Sequence, residues 1–267
     1  MSELPLPDLV VPARFCGPPS SGNGGWSAGA IAVRAAEACP DDHALPQPAV
    51  TVSLQAPPPL DVPLSVTATD DGGVVATYDG RPVLSARCSH DPIADVEPVR
   101  PDEARAAMAS FVGLGSHPFP TCFSCGTGRA EGDGLRIFPG RVTDATAPAG
   151  EEPRPRVAAT WTPDPSLAGD DLAPDGHPRA TVPVTWAALD CVGGWAGDLE
   201  ERLMVLARMT ARLDSLPVIG EEHVVVGMGR GRDGRKAWTS STLYDADDRV
   251  VGSAEHLWIA VDPAAFA

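Results

Sequence analysis

Two stretches of the chain, TVSLQAPPPL at residues 51–60 and TARLDSLPV at residues 210–218, are similar to each other. Three positions match at one offset of 159 residues: Thr51 with Thr210, Leu54 with Leu213, and Pro58 with Pro217. Further along, YDGRPVLSA at residues 78–86 resembles YDADDRVVGSA at residues 244–254, at an offset of 166 to 168 residues. An offset this steady over separate blocks indicates that one structural unit occurs twice. Chance similarity between β-rich segments is the alternative.

Each half of the chain has the same predicted order of elements. An extended segment is followed by an apolar run that predicts a helix and then by four strand-like segments separated by turn residues. In the first half these are the extended segment 10–16, the helix 26–38 and the strands 50–55, 62–69, 73–78 and 82–88. In the second half they are the extended segment 156–161, the helix 184–200 and the strands 204–213, 223–229, 237–244 and 250–261.

This order predicts an α+β fold in which two antiparallel sheets are each wrapped round one central helix. The chain of 267 residues is long enough for two such units, which we assign to residues 1–100 and 101–267. Segment 91–105 is rich in proline and acidic residues and predicts the linker. Segment 143–155 predicts a surface loop. Segment 165–179 predicts either an insertion that shapes a pocket or a disordered loop.

The composition narrows the classes of partner. A net charge of −16 and a pI of about 4.6 disfavour nucleic-acid binding. The sequence has neither a long apolar run that would span a membrane nor a basic-then-apolar N-terminus, so we expect a soluble cytoplasmic protein without membrane contact. Association of the units into a homo-oligomer remains open. We predict that the six cysteines are free thiols, since no export signal is visible.

Two helix-forming stretches carry a resemblance to a known family. GNGGWSAGAIA at residues 22–32 resembles the glycine-rich helix entry of hotdog thioesterases, and VTWAALDCVGGW at residues 184–195 resembles the helix that carries their acid. Together with the paired four-strand meanders, they make the chain similar to double-hotdog proteins of the acyl-CoA thioesterase type. The resemblance implies an acyl-thioester hydrolase that uses no cofactor and acts on an acyl-CoA or an acyl-carrier substrate, as in lipid or polyketide metabolism.

In hotdog thioesterases a glycine amide at one helix N-terminus faces a carboxylate from the helix of the partner unit. The unpaired N–H groups and the helix dipole stabilise the oxyanion of the thioester carbonyl. The carboxylate activates water or attacks the carbonyl itself. By this resemblance Asn23, Gly24 and Gly25 are the donor loop and Asp190 is the acid.

The two parts of this site are distributed over the two halves of the chain. At the offset of the repeat, Asp190 corresponds to Ile31 or Ala32, which carry no acid, and the two glycines correspond to the VPV sequence at residues 182–184. We therefore predict one composite site between the units, in which the first half supplies the donor loop and the second half the acid. The alternatives are that Asn23 is only a helix N-cap and that Asp190 is a surface residue.

The resemblance implies two further catalytic positions. The family uses a Thr or Ser on the next strand, where Thr210 lies, and a Gln late in the second unit, where this chain has Glu255 or His256. The missing Gln leaves a non-catalytic acyl-thioester-binding protein as the main alternative. A hotdog dehydratase or hydratase, which pairs an Asp with a His, is the weaker alternative, and His256 is its candidate histidine.

Four basic residues cluster in an otherwise acidic chain: Arg230, Arg232, Arg235 and Lys236. They lie in a predicted hairpin, and arginine binds phosphate through paired hydrogen bonds. We predict that this hairpin binds the phosphates of coenzyme A, with a solvated turn as the alternative.

A Cys-x-x-Cys sequence offers a third kind of chemistry. HPFPTCFSCGTGR at residues 117–129 contains His117, Cys122 and Cys125, which could bind zinc if another ligand came from elsewhere in the chain. The candidates for that ligand are His177, Cys16 and Cys88. A redox pair and a plain tight turn are the alternatives, and we favour the turn and assign no metal. The sequence GDGLRIFPG that follows predicts a hairpin.

Overall fold

The computed structural model describes residues 6–38, 48–145 and 152–266, which form thirteen β-strands and three α-helices. The helices are α1 (Gly24–Ala38), α2 (Pro101–Met108) and α3 (Val182–Ala196). The strands before α3 are β1 (Leu6–Val10), β2 (Ala49–Leu54), β3 (Pro63–Ala68), β4 (Val74–Tyr78), β5 (Arg81–Ser89), β6 (Gly140–Ala145), β7 (Arg154–Trp161), β8 (Ala168–Leu172) and β9 (Pro178–Ala180). Those after it are β10 (Met204–Leu213), β11 (His223–Asp233), β12 (Lys236–Tyr244) and β13 (Val250–Ala260).

Eleven of these strands form one continuous antiparallel sheet. Its order is β1-β3-β4-β5-β2-β10-β13-β12-β11-β7-β6, and β8 pairs with β9 separately. The prediction of two sheets, each around its own helix, is therefore wrong in that respect. The α+β class is confirmed. The two halves share a single sheet because β2 pairs directly with β10, which leaves no edge between them.

The junction between β2 and β10 relates the two halves. Thr51 lies opposite Thr210, and their hydroxyl oxygens are 2.9 Å apart. These two residues are the equivalent positions of the sequence repeat, so an approximate two-fold axis passes between them. On either side of this axis the strands follow in corresponding order, β5-β4-β3-β1 in the first half and β13-β12-β11-β7 in the second. This arrangement agrees with the duplication predicted from the 159-residue offset.

Helices α1 and α3 pack closely against each other at glycine positions of α1. A Cβ atom at Gly25 would lie 2.4 Å from the Asp190 Cβ, and one at Gly29 would lie 2.7 Å from the Pro183 Cα. Both distances are too short for real atoms, so only glycine permits this approach. Because Gly29 follows Gly25 on α1 while Pro183 precedes Asp190 on α3, the two helices run antiparallel.

Helix α3 also lies very close to the sheet. A Cβ atom at Gly193 would be 2.6 Å from the His256 Nδ1 and 2.7 Å from the Thr239 Oγ1, and one at Gly194 would contact the Trp258 ring at 3.0 Å. The Gly-Gly pair lowers helix propensity, yet it is retained because the side chains of β12 and β13 occupy that space. The helix ends at Ala196, where Gly197 forms the C-cap, rather than at the predicted residue 200.

Several predicted boundaries need correction. Helix α1 begins at Gly24, two residues before the predicted start. The predicted linker 91–105 contains the first half of α2, which packs on β7. Segment 165–179 holds β8 and the start of β9 rather than a disordered loop. Residues 132–139 form no hairpin, although Leu135 and Ile137 donate backbone hydrogen bonds to the Cys-x-x-Cys loop.

The predicted loop 143–155 is partly strand, since β6 extends into it and β7 begins within it. Residues 146–151 of this loop lie outside the described part of the chain. No described helix combines the length and apolar character needed to cross a membrane.

We expect Gly193→Ala to destabilise the protein, although alanine has a higher helix propensity than glycine. The added Cβ would overlap His256 and Thr239, and overpacking of this kind costs about 1–3 kcal/mol. Chemical denaturation of Gly193→Ala and of the control Gly231→Ala, whose Cβ would meet no atom within 4 Å, measures the effect. Equal stability of the two variants would contradict the packing described here.

Candidate active site

A cavity of about 190 Å³ opens where the two halves meet. It lies between the loop that precedes α1, the start of β10, α3 and the Cys-x-x-Cys loop. Its lining is mainly apolar, with a small group of polar residues at one place. The apolar lining includes Leu54, Phe119, Leu199, Met204, Leu206 and Trp258, and the polar and thiol lining includes Asn23, His117, Cys122, Cys125, Asp190 and Cys191.

Asp190 is the buried acid of this cavity. Its side chain lies on α3 and is 2% exposed. Its Oδ2 atom accepts a hydrogen bond of 2.8 Å from the Gly25 N–H and one of 3.1 Å from the Asn23 Nδ2. The structure therefore brings the acid of the second half onto the glycine-rich helix entry of the first half. The alternative that Asp190 is a surface residue is wrong.

Asn23 both caps α1 and holds Asp190. Its Oδ1 accepts a 2.8 Å hydrogen bond from the Trp26 N–H, which is the N-cap interaction expected at a helix start. Its Nδ2 donates to Asp190, so the two roles fix the orientation of the amide. Asn23 is thus an N-cap, as the alternative states, but it is not only an N-cap, because its Nδ2 also contacts Asp190.

The donor groups differ from the prediction in one respect. The Gly25 N–H is used by Asp190 and is not free for a substrate oxygen. The neighbouring Gly24 lines the cavity, and no acceptor in the described part of the chain bonds to its N–H. Because the first N–H groups of a helix lack partners within the helix, the Gly24 N–H is the donor that remains at this end of α1.

Burial raises the pKa of Asp190 to about 7. Removal from water penalises the ionised form, while the hydrogen bonds from Gly25 and Asn23 oppose the shift. The second oxygen, Oδ1, is buried and has no hydrogen-bond partner among the described residues. A carboxyl group in this state can take up and release a proton near neutral pH.

Two predicted catalytic residues lie on the other face of the sheet. Thr210 alternates with the buried Met209 and Ala211 on β10, and its hydroxyl contacts Thr51. Glu255 is exposed on β13 beside it. Since successive side chains of a strand point to opposite faces, neither residue reaches Asp190, and both assignments need correction.

His256 faces α3 but does not line the cavity. Its Nδ1 lies 3.1 Å from the Thr239 Oγ1, directly beneath Gly193. Burial lowers the pKa of His256 to about 4, so the ring is neutral at physiological pH. These contacts indicate a structural role for His256 rather than the predicted catalytic role.

The basic hairpin lines a different cavity. Arg230 and Arg232 border a hollow of about 230 Å³ that shares no lining residue with the cavity of Asp190. Arg232 forms an ion pair with Asp198, Arg230 donates to the Ser240 hydroxyl, and Arg235 donates to the Ala260 carbonyl. Lys236 begins β12 and is exposed. The hairpin is therefore only partly a solvated turn.

The Cys-x-x-Cys loop is part of the cavity wall rather than a remote turn. Cys122 and Cys125 are buried beside Cys191 of α3, and the Cys122 and Cys191 sulfur atoms are 3.7 Å apart. Hydrogen bonds from its thiol neighbours lower the pKa of Cys122, whereas burial raises the pKa of Cys125. Sequence reasoning missed Cys191 as a thiol partner, although it directly follows Asp190.

The free-thiol prediction is correct for four cysteines and wrong for one. Cys16, Cys122, Cys125 and Cys191 are free, while Cys88 is disulfide-bonded. Cys39 lies outside the described residues. His177 lines a third hollow, next to β9, and does not approach the Cys-x-x-Cys loop.

Solved structures share the fold of this chain. A conserved protein of unknown function with a hot dog fold from Alicyclobacillus acidocaldarius matches with a TM-score of 0.58 and 16% identity, covering 94% of this chain and 91% of that one. A candidate thioesterase from Novosphingobium aromaticivorans matches with a TM-score of 0.56 and 15% identity, covering 96% and 95%. The tesB protein of Mycobacterium avium subsp. paratuberculosis matches with a TM-score of 0.52 and 13% identity, covering 92% and 90%.

These matches confirm the hotdog fold over nearly the whole chain. At identities this low they establish the fold alone. No protein-family model and no curated protein sequence matches the chain.

We expect the stability of the protein to fall as the pH drops from about 6.5 to about 4, in part because of His256. The folded state keeps this ring neutral down to a pKa of about 4, whereas the unfolded chain binds the proton near pH 6.5. The difference corresponds to roughly 3 kcal/mol. Denaturation at pH 7 and pH 4.5 should show a smaller loss for His256→Gln than for the wild type. The exposed control His90→Gln should behave like the wild type, and an unchanged pH dependence in His256→Gln would refute the assignment.

Proposed function

We propose that this protein hydrolyses acyl thioesters in the cavity between its two halves. The observation that carries the proposal is the buried Asp190 carboxyl, held by Gly25 and Asn23 beside the Gly24 N–H at the start of α1. An acid and an N–H donor at one end of an apolar cavity are the two groups that thioester hydrolysis requires. The fold shared with a protein from Novosphingobium aromaticivorans that is named as a candidate thioesterase supports the same activity.

The reaction needs only water and the groups of this site. The carbonyl oxygen of the thioester accepts a hydrogen bond from the Gly24 N–H. The dipole of α1 favours negative charge at this end of the helix, so it stabilises the oxyanion. Asp190 takes a proton from water while the water oxygen bonds to the carbonyl carbon. The tetrahedral intermediate then collapses, the carbon–sulfur bond breaks, and Asp190 returns the proton to the leaving thiolate. The products are a carboxylic acid and a thiol.

The apolar part of the cavity suits the acyl chain. Leu54, Leu206 and Trp258 line it on the sheet side, and Leu199 lies where α3 has ended. Burial of apolar surface contributes about 25 cal/mol per Å², so these side chains would supply binding energy without taking part in the chemistry. The carrier of the acyl group is coenzyme A or an acyl-carrier protein.

A hydratase or dehydratase is the second candidate, and one observation favours it. His117 lines the same cavity as Asp190, so a histidine and an acid, the two groups that this chemistry uses, border one cavity. The histidine is His117 and not His256. Incubation with a 2-enoyl thioester distinguishes the two activities, because hydration adds water to the double bond and leaves the thioester intact.

We expect Asp190→Asn to lower the turnover of thioester hydrolysis by roughly 100-fold or more, the scale of removing a general base. Binding should persist, because the amide oxygen can still accept the hydrogen bonds of Gly25 and Asn23. The matched control is Glu255→Gln, which neutralises a carboxylate on the opposite face of the sheet. Thiol release measured with a chromogenic reagent gives the rates, and calorimetry gives the affinity.

Three outcomes of that comparison are decisive. Full turnover in Asp190→Asn would reject Asp190 as the base. A loss of turnover in Glu255→Gln equal to that in Asp190→Asn would place the chemistry on the other face. A wild-type protein that binds acyl thioesters without cleaving or hydrating them would be a binding protein rather than an enzyme.

We expect charge removal in the basic hairpin to weaken binding of coenzyme A esters selectively. Arg232→Ala and Arg235→Ala should lower the affinity for an acyl-CoA but not for the same acyl group on N-acetylcysteamine, which lacks the phosphates. The exposed Arg81→Ala is the control. Equal affinities for the acyl-CoA in all variants would return the hairpin to a structural role and favour a carrier-protein substrate.

A further inference from the structure

Three cysteine sulfur atoms converge at the wall of the cavity. Cys122 and Cys125 come from the loop before β6, and Cys191 comes from α3. The three sulfur atoms lie within 4.8 Å of one another, and the side chains are 4%, 2% and 8% exposed, respectively. Cys16 is also a free buried thiol but lies outside this group.

The spacing of the sulfur atoms suits a tetrahedral metal ion. A zinc–sulfur bond is about 2.3 Å long, so two thiolates at the tetrahedral angle place their sulfur atoms about 3.8 Å apart. The Cys122 and Cys191 sulfur atoms are 3.7 Å apart. Cys125 needs to move by at most about 1 Å, since its sulfur lies within 4.8 Å of both.

The loop is built to present sulfur to an ion. A backbone hydrogen bond of 2.8 Å to the Cys122 carbonyl oxygen closes a tight turn that holds Cys122 and Cys125. The next residue is Gly126, where a Cβ atom would lie 2.4 Å from the Cys122 carbonyl oxygen, so the tight turn excludes a side chain. The turn therefore keeps the Cys122 and Cys125 sulfur atoms within 4.8 Å of each other.

A second element supports the cluster from the other half of the chain. The Asn23 Nδ2 lies 3.7 Å from the Cys122 sulfur and 3.8 Å from the Cys191 sulfur. His117 lines the same cavity, and its buried Nε2 has no hydrogen-bond partner among the described residues.

We propose that Cys122, Cys125 and Cys191 bind one thiophilic divalent ion, zinc by preference, with the fourth coordination position facing the cavity. Soft thiolate ligands select zinc over the hard cations calcium and magnesium. A water molecule completes the coordination. The ion would join the Cys-x-x-Cys loop to α3 beside Asp190. The proposal does not depend on thioester hydrolysis, because its test is metal content.

The test compares Cys191→Ser with the matched control Cys16→Ser. After expression with added zinc and purification under reducing conditions, elemental analysis should find about one zinc per chain in the wild type and in Cys16→Ser. In Cys191→Ser the affinity should fall by more than about 100-fold, which exceeds the loss expected for a residue that only supports a ligand. Displacement with cobalt should produce thiolate-to-cobalt absorption in the wild type and not in Cys191→Ser.

The design also covers a variant that fails to fold. Zinc added to the chelator-treated wild type should raise the midpoint of thermal unfolding, because an ion that binds only the folded state stabilises it. A folded wild type that neither retains zinc nor gains stability from it would overturn the proposal. So would a Cys122–Cys125 disulfide in the reduced preparation, or a Cys191→Ser variant that binds zinc as tightly as Cys16→Ser.

Discussion

The close approach of α1 and α3 is the contact on which the rest of the site depends. Gly25 and Gly29 let the two helices meet without intervening side chains, and the Asp190 carboxyl reaches the N-terminus of α1 through the space this leaves. A larger residue at Gly25 would push α3 away and separate the acid from its donors. The same approach brings Cys191, the next residue, toward the Cys-x-x-Cys loop.

Burial of Asp190 has an energetic cost that the surrounding donors offset only in part. An ionised carboxylate without partners in the interior is strongly unfavourable. The hydrogen bonds from Gly25 and Asn23 to its Oδ2 atom compensate, each worth about 1.5–3 kcal/mol when the acceptor is charged. The compensation is incomplete, because Oδ1 has no hydrogen-bond partner among the described residues and the pKa of Asp190 is raised. A group left in this state is disadvantageous for stability, which supports the role that we propose for Asp190.

The approximate two-fold symmetry of the fold is not matched by symmetry of the site. The two-fold axis between Thr51 and Thr210 relates α1 to α3, yet among the described residues an acid faces the N-terminus of α1 and none faces that of α3. At the equivalent start of α3, Pro183 packs against Gly29 and has no N–H to donate. A duplicated chain permits such asymmetry, because each half can lose residues that the other half retains.

Local patterns in the sequence determined much of the fold. The alternation along β10 and the apolar run of α1 predict these elements within two residues of their observed ends, because period and turn residues are local properties. The offset of 159 residues between matching positions indicated the duplication. The second half lacks the glycines and the first half lacks the acid, and this pattern pointed to Asp190 and to residues Asn23–Gly25 at the start of α1. Only the tertiary structure decided that β2 and β10 join the halves into one sheet, since edge pairing depends on contacts distant in sequence.

The details of the site were likewise decided by packing. The repeat could place Gly25 near Asp190, but only the geometry assigns the Gly25 N–H to the acid and leaves the Gly24 N–H without an acceptor in the described part of the chain. The alternation of side chains along β10 and β13 excludes Thr210 and Glu255 as catalytic residues. Which face of the sheet their side chains occupy relative to the helices is known only from the tertiary structure. Cys122 and Cys191 are 69 residues apart in the chain, and no local pattern connects them. Their contact follows from the close packing of α3, because helix position rather than sequence spacing sets which side chains meet.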